Sequence, residues 1–343
     1  MIHGLFGSRV AIIANGMRMQ DQEWGADHAP NVDLNGFESV QVVKGAAALK
    51  YAGDTAGGMI LLSPERINLK DSLYGSTVLN GVDNGKGGSI NTRLTRSFDN
   101  GYFISGHLNT KQFGDRQAPE YNLTNSGLKE TSLGFRLGRT KILKGWEVNY
   151  RRFQNSIGIL RSAHIGNIED LLRALESNSP LRIEPFDYVI NSPKQEAIHQ
   201  NFKATYFNQY SDRSKLKLDY NYQISNRKEF DVRRGNRSAK AAIDLTLKTY
   251  DFLGSIQWKK DFEWNFEWGV NALLQDNFSN PETGVKRLIP DHQKYQAGTF
   301  LTGNYRPSNN FSWEWGFRFD PVSYTHLRAH ETGRNLVCRR LLE

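Results

Sequence analysis

The chain has 343 residues, of which 38% are hydrophobic, with 44 Lys and Arg against 36 Asp and Glu and a formal charge of +8. Mean hydropathy is −0.59, and no apolar run approaches the roughly 18 residues that a spanning helix needs; that excludes a helical membrane protein but not a β-barrel, whose strands turn only alternate residues to lipid. The basic residues are interleaved with acidic ones rather than gathered into a stripe, which argues against a nucleic-acid binder.

The first residues, Met1-Ile2-His3-Gly4-Leu5-Phe6-Gly7, lack the basic start, apolar centre and small-residue cleavage site of a secretory signal. An exported protein would therefore be expected to begin upstream of them. Residues 1–66 then read as short Val- and Ile-rich strands joined by glycines. Val10, Ile12 and Ile13 lead into Asn15-Gly16, a turn signal, and Val40, Val42 and Val43 lead into Lys44-Gly45. A short helix is expected to end near Leu49 and Tyr51, and Gly57-Gly58 precedes a last strand from Met59. Gly45 and the paired glycines permit turns that a β-carbon would forbid, and Lys44 opens a tight strand-to-helix corner.

This order of strand, Lys-Gly, short helix closing at Leu-x-Tyr, and paired glycine resembles the closing motif of the plug domain of TonB-dependent outer-membrane receptors. Gln41 stands where that family usually has Glu, Ala46 where it often has Pro, and His3 where Arg is common. The resemblance implies an α+β plug that precedes a transmembrane β-barrel in the outer membrane of a Gram-negative bacterium. It implies a receptor for scarce nutrients, commonly iron–siderophore complexes, and no enzyme activity. It also implies a partner, the TonB-ExbB-ExbD energy-coupling complex, pulling on an N-terminal segment expected to lie upstream, together with the first half of the plug.

Residues 20–33 would form a plug loop at the external face, carrying Trp24, Asp27 and His28. The Asp27-His28 pair resembles a segment in a branch of the family with zinc-importing members, and carboxylate with imidazole suits zinc or another divalent metal. Adjacent side chains on extended backbone diverge, so further ligands would have to come from barrel loops, with His164, Asp291 and His292 as candidates. A metal or metal chelate is thus expected as cargo rather than as a resident cofactor.

From Leu73 to Asp320 one unit repeats: a segment of alternating polarity, a turn, a second such segment and a longer loop. Phe311, Trp313, Trp315, Phe317 and Phe319 alternate with Ser312, Glu314, Gly316 and Arg318; Trp264, Phe266, Trp268 and Val270 alternate with Asn265, Glu267 and Gly269. Side chains in a strand point alternately to opposite faces, so each such segment has an apolar and a polar face. A soluble sandwich would alternate too, but connection lengths distinguish the two. Short connections are expected at 97–100, 141–145, 211–214, 259–262 and 308–310, and longer ones at 113–129, 156–196, 227–243 and 278–293. Outer-membrane barrels show this rhythm because periplasmic turns are tight and external loops long. The fold class is therefore all-β dominated, with a plug part at 1–66 and about eleven barrel strands at 67–320. That is half of the roughly 22 strands of a plugged transporter.

Within the longest loop, Ile168, Leu171, Leu172 and Leu175 share one face of a helix that Asn167 can cap. A ferric siderophore would meet aromatic and basic loop groups such as Tyr121, Arg161 and Tyr188. A structural or adhesive barrel is the competing class, since neither a Gly-x-Ser-x-Gly elbow nor a convincing Ser and His pair is present. Residues 321–343 break the pattern and hold the one cysteine, Cys338. They resemble the translation of sequencing-adapter DNA joined to a truncated reading frame, and are expected to stand outside the fold.

Overall fold

The computed structural model describes residues 2, 4–5, 9–21, 32–54, 57–163, 168–233, 237–259, 263–287, 289–308 and 310–326. The N-terminal part is a small sheet of β1 (Ala11–Ala14), β2 (Met17–Arg18), β3 (Ser39–Val43) and β4 (Met59–Ser63), in the order β2-β1-β4-β3. β1 runs parallel to β4; the other pairs are antiparallel. β1 is apolar on both faces because it is covered on both. Ile12 and Ala14 pack with Met19, Phe37 and Leu62, and Ala11 and Ile13 pack with Ala48 and Met59.

The glycines sit where the backbone needs them. Asn15 and Gly16, at φ of 52° and 73°, form the two-residue turn between β1 and β2, a geometry with two positive φ angles that Asn-Gly accepts readily. Gly58 has φ of 96°, and a β-carbon there would lie 2.7 Å from the Val43 carbonyl oxygen. The expected short helix is a 3-10 helix, Gly45–Lys50, closed where the Tyr51 N–H donates to the Ala48 carbonyl at 3.1 Å. Across the sheet the Arg18 guanidinium grips Asp54 through two bonds of 2.7 and 3.0 Å. Burial works against the charged Asp54 carboxylate, but Arg18 outweighs it and holds the carboxyl below its usual range.

The remainder is one large antiparallel sheet. Its strands are β5 (Ser72–Val82), β6 (Gly87–Ser97), β7 (Tyr102–Phe113), β10 (Leu128–Thr140), β11 (Lys144–Gly158), β12 (Lys194–Ser211), β13 (Ser214–Phe230), β14 (Ile243–Lys259), β15 (Trp264–Ser279), β16 (His292–Ser308) and β17 (Phe311–Phe319), each paired with the next. Two short strands, β8 (Arg116–Gln117) and β9 (Asn122–Leu123), form a ladder of their own within the loop from β7 to β10. The edge strands β5 and β17 do not pair with each other among the described residues.

Burial in this sheet is inverted relative to a soluble protein. Asp219, Asn221, Gln223 and Ser225 of β13 and His199, Asn201 and Lys203 of β12 are buried, while Tyr220, Tyr250, Phe252, Trp268, Val270, Leu274, Phe317 and Phe319 are exposed. Along β13 the exposed Tyr220 stands between the buried Asp219 and Asn221, so the polar face points inward and the apolar face outward. At the short-turn end of β14 and β15, Trp258, Phe266, Trp264 and Tyr305 stack in series, with 4.2 Å between the last two rings. Such a cluster is where an interfacial aromatic girdle would sit.

The sheet curls around the small one. Arg93 of β6 reaches Glu38 at 2.9 Å, and Arg318 of β17 reaches the Leu49 carbonyl at 2.9 Å. Laid flat, the spacings between β6 and β17 would hold those arginines about 43 Å apart at about 4.8 Å per strand. The twelve residues from Glu38 to Leu49, a short strand and a 3-10 helix, cover about 28 Å at most.

The chain does not leave the sheet at Asp320. β18 (Val322–His326) continues β17 on β16 in unbroken register: Phe319 faces Thr299 and Val322 faces Gln296, with the Ala297 N–H donating to the Pro321 carbonyl at 3.2 Å between them. Val322–His326, within the stretch expected to stand outside the fold, therefore lie on the edge of the sheet, where the backbone ladder accepts extended chain of almost any sequence. Residues 327–343, Cys338 included, lie outside the described residues.

Candidate functional site

The two ends of the sheet differ. One carries the short turns at 98–101, 141–143, 212–213, 260–263 and 309–310; the other carries the connections at 83–86, 114–127, 159–193, 231–242 and 280–291. At the long-loop end, 159–193 and 231–242 enclose a cavity of about 1080 Å³ whose walls include Arg161, Arg182, Lys194, Arg233, Phe186 and Phe230. A second cavity of about 590 Å³ adjoins it and shares Arg161 and Arg182, adding Tyr121 and Arg173.

The loops are tied down rather than loosely draped. Asn125, at φ of 64°, accepts the Asn191 N–H at 2.8 Å and donates to the carbonyls of Pro193 and Ile159 at 2.7 and 3.0 Å. Ser192 Oγ donates to the Ser238 carbonyl at 2.8 Å, joining the two loops that wall the cavity. A helix, α1 (Ile168–Glu176), rises from the longest loop with none of its residues buried, so Ile168, Leu171, Leu172 and Leu175 all remain exposed. Asn167, its expected cap, lies outside the described residues.

The charged groups lining the cavity are Arg161, Arg182, Lys194 and Arg233 with the carboxylates Asp115, Glu184 and Asp187, and Lys194 pairs with Glu196 at 2.7 Å. Arg182 is answered by Glu184 at 2.6 Å. The Arg161 side chain, by contrast, makes no hydrogen bond or ion pair with the described residues, and Arg233 has one buried guanidinium nitrogen without a partner while the other reaches the Thr283 carbonyl at only 3.4 Å. An arginine left without acceptors beside aromatic surface is a ready site for an oxygen-rich anion.

Of the residues expected from sequence, Tyr121 and Arg161 are brought together in the smaller cavity. Tyr188 stands at the rim of the larger one, its hydroxyl donating to the Lys86 carbonyl at 2.6 Å and its ring edge-on to Phe186 at 5.0 Å. Trp24, Asp27 and His28, and His164 with them, lie outside the described residues. Asp291 is engaged by Arg287 at 2.9 Å and by the Ser279 N–H at 2.7 Å, and His292 lies beside Tyr324. No group of three or more His, Cys, Asp and Glu side chains fit to hold a metal occurs among the described residues. Sequence reasoning missed Arg182, Lys194 and Arg233, which sit in aperiodic loops or at a strand end, where no pattern singles them out.

A second set of polar groups joins the inner wall to the small sheet. Wall side chains donate to carbonyl oxygens of the N-terminal part: Arg151 to Gly36 at 2.7 Å, Arg136 to Glu65 at 2.9 Å, Gln223 to Arg18 at 2.9 Å, and Lys203 to Asn15. Lys203 also faces Asp219 at 3.2 Å, which accepts from Lys217 at 2.8 Å and from Thr205 at 2.6 Å. Arg151 lies over the Phe37 ring at 4.0 Å, and Lys50 pairs with Glu267 at 2.5 Å. The seam is therefore largely side chain to backbone, and it runs from β6 to β17.

Residues 1–59 match the family model of the TonB-dependent Receptor Plug Domain. The fold is similar to the copper transporter OprC, at 15% identity and a TM-score of 0.68 over 96% of this chain and 50% of that one. It is also similar to FpvA of Pseudomonas aeruginosa, solved with pyoverdine and iron, at 11% identity and a TM-score of 0.68 over 93% and 46%. The ferric-catecholate import receptor Fiu of E. coli K12 matches at 11% identity and a TM-score of 0.66 over 93% and 53%. Comparison with curated proteins finds no match. The chain spans about half the length of the solved receptors that it resembles. Residues 1–59 thus carry that family's plug domain, and the antiparallel sheet curled around them has the fold of the solved receptors.

Proposed function

We propose that the receptor to which this chain belongs resides in the outer membrane of a Gram-negative bacterium and takes up an iron–siderophore complex, with the TonB-ExbB-ExbD complex supplying the energy. In this reading residues 1–66 belong to the plug and 67–320 to the barrel wall, and the long-loop end faces the medium. The observation that carries it is the cavity of about 1080 Å³ walled by Arg161, Arg182, Lys194 and Arg233 beside Phe186 and Phe230. Ferric chelates present carboxylate, catecholate or hydroxamate oxygens on a partly apolar shell, and cations next to aromatic rings complement both features. Tyr121, from the adjoining cavity, extends the same surface.

The test is titration of the complete receptor in detergent with ferric complexes of catecholate, hydroxamate and carboxylate chelators, followed by tryptophan quenching. One class is expected to bind, and Arg161→Ala with Arg233→Ala is expected to weaken it by about tenfold or more, as loss of charge-assisted hydrogen bonds does. Binding that the double substitution leaves unchanged, or binding of none of the three classes, would sink the proposal.

A further inference from the structure

A cavity of about 40 Å³ lies on the seam between plug and wall, lined by Met17 and Met19 of the plug and by Asp33, Arg151, His199 and Asn201. Met17 and Met19 flank Arg18 at the end of β2, two positions apart, so they project to one side of the chain. His199 is 4% exposed, and its Nε2 is buried with no hydrogen-bond partner. Its other ring nitrogen is accounted for: Nδ1 lies 2.9 Å from Ser225 Oγ and 3.4 Å from the Asp21 carboxylate. A carboxylate only accepts, so Nδ1 carries a proton, and in the neutral ring Nε2 then holds the lone pair. That is the tautomer and outer support a metal-binding imidazole uses.

We propose that Met17, Met19 and His199 form a site for a soft monovalent metal ion, Cu(I), at the plug–wall seam. Two thioethers and one neutral imidazole make an uncharged, soft donor set, which selects Cu(I) over zinc and other borderline or hard divalent ions. Asn201 donates to the Met17 sulfur at 3.0 Å, which orients the thioether and leaves its second lone pair free. Met19 also packs with Phe37 and Leu62, so the plug core holds this ligand in place before any ion arrives. The site joins two plug residues to one wall residue, so a bound ion would fasten the plug to β12. The inference goes beyond the cargo proposal and does not depend on it.

The experiment is transfer of Cu(I) from bicinchoninate to the complete receptor under ascorbate, with X-ray absorption on the loaded protein. One Cu(I) per chain with two sulfur scatterers and one nitrogen is expected. Met17→Leu with Met19→Leu, which preserves volume, is expected to weaken uptake by about tenfold or more, and His199→Gln likewise. The melting transition of each variant, measured without copper, checks that the seam still forms. The spectrum of the unsubstituted receptor tests the ligand set even if a variant fails to fold. Three results would overturn the proposal: no transfer from bicinchoninate, a spectrum without sulfur, or zinc bound as tightly as Cu(I). A cavity of this size also suits water, and water alone would give the first of those results.

Discussion

At the scale of single residues, the plug glycines differ in what they demand. Gly45 has φ of 76° with open space where a β-carbon would go, so Gly45→Ala meets only the conformational cost of a left-handed residue, about 1–2 kcal/mol. Gly58→Ala meets that cost and the Val43 carbonyl at 2.7 Å, so it is expected to destabilise the plug clearly more. Hydrogen exchange of the β3 and β4 amides would rank the two, and equal protection in both variants would refute the ordering. Lys203 poses a different problem. Its side chain and that of Asp219 are almost wholly buried, 3% and 1% exposed, so Lys203→Met strips a buried carboxylate of one partner and frees the Asn15 carbonyl. A loss of about 3–5 kcal/mol is expected, and adding Asp219→Asn should restore part of it, the coupling that a double-mutant cycle measures. Strict additivity of the two substitutions would show that the pair is not coupled.

Elements were more legible in the sequence than sites, and the difference is physical. Period-two alternation follows from the pleat, so turns expected at 141–145 and 211–214 are found at 141–143 and 212–213. The helix expected from Ile168 is present as Ile168–Glu176 for the same kind of reason, a periodic apolar face. Alternation fades toward the long-loop ends of the strands, and there the expectation falls short. Residues 156–158 fall within the expected 156–196 loop, yet Ser156, Ile157 and Gly158 pair with Glu196, Gln195 and Lys194 in the ladder. The β8–β9 ladder, two residues a strand, is too short to show any period. The outward rows of β15 and β17 make the membrane reading testable by depth. Trp268→Arg lies mid-strand and should cost about 2–4 kcal/mol in folding into lipid vesicles, whereas Phe311→Arg beside a short turn should cost about 0–1 kcal/mol. Equal penalties at the two positions, measured by equilibrium folding, would contradict a lipid-facing row.

For the molecule as a whole, the plug domain and the sheet around it have to be explained together. The wall reads as one kind of surface from sequence, but the partners of its inward residues do not. Alternation marks Arg318 as inward; nothing local says that it will meet the Leu49 carbonyl 269 positions earlier. Those long-range bonds give the molecule two levels of stability. The sheet is held by continuous ladders of backbone bonds between neighbouring strands, while the plug is attached by separate side-chain bonds such as Arg151 to Gly36, Arg136 to Glu65 and Gln223 to Arg18. Each such bond contributes about 0.5–1.5 kcal/mol net, or about 1.5–3 kcal/mol when its donor is charged, and urea solvates carbonyl groups well. The complete receptor should therefore lose plug docking at a lower urea concentration than it loses the barrel, a sub-global opening rather than a single transition. A fluorophore on a plug cysteine introduced at Asn35 would report the first step, and far-ultraviolet dichroism of the sheet the second. If both signals moved at one midpoint, plug and wall would form a single cooperative unit, and the seam would be far stronger than its bonds imply.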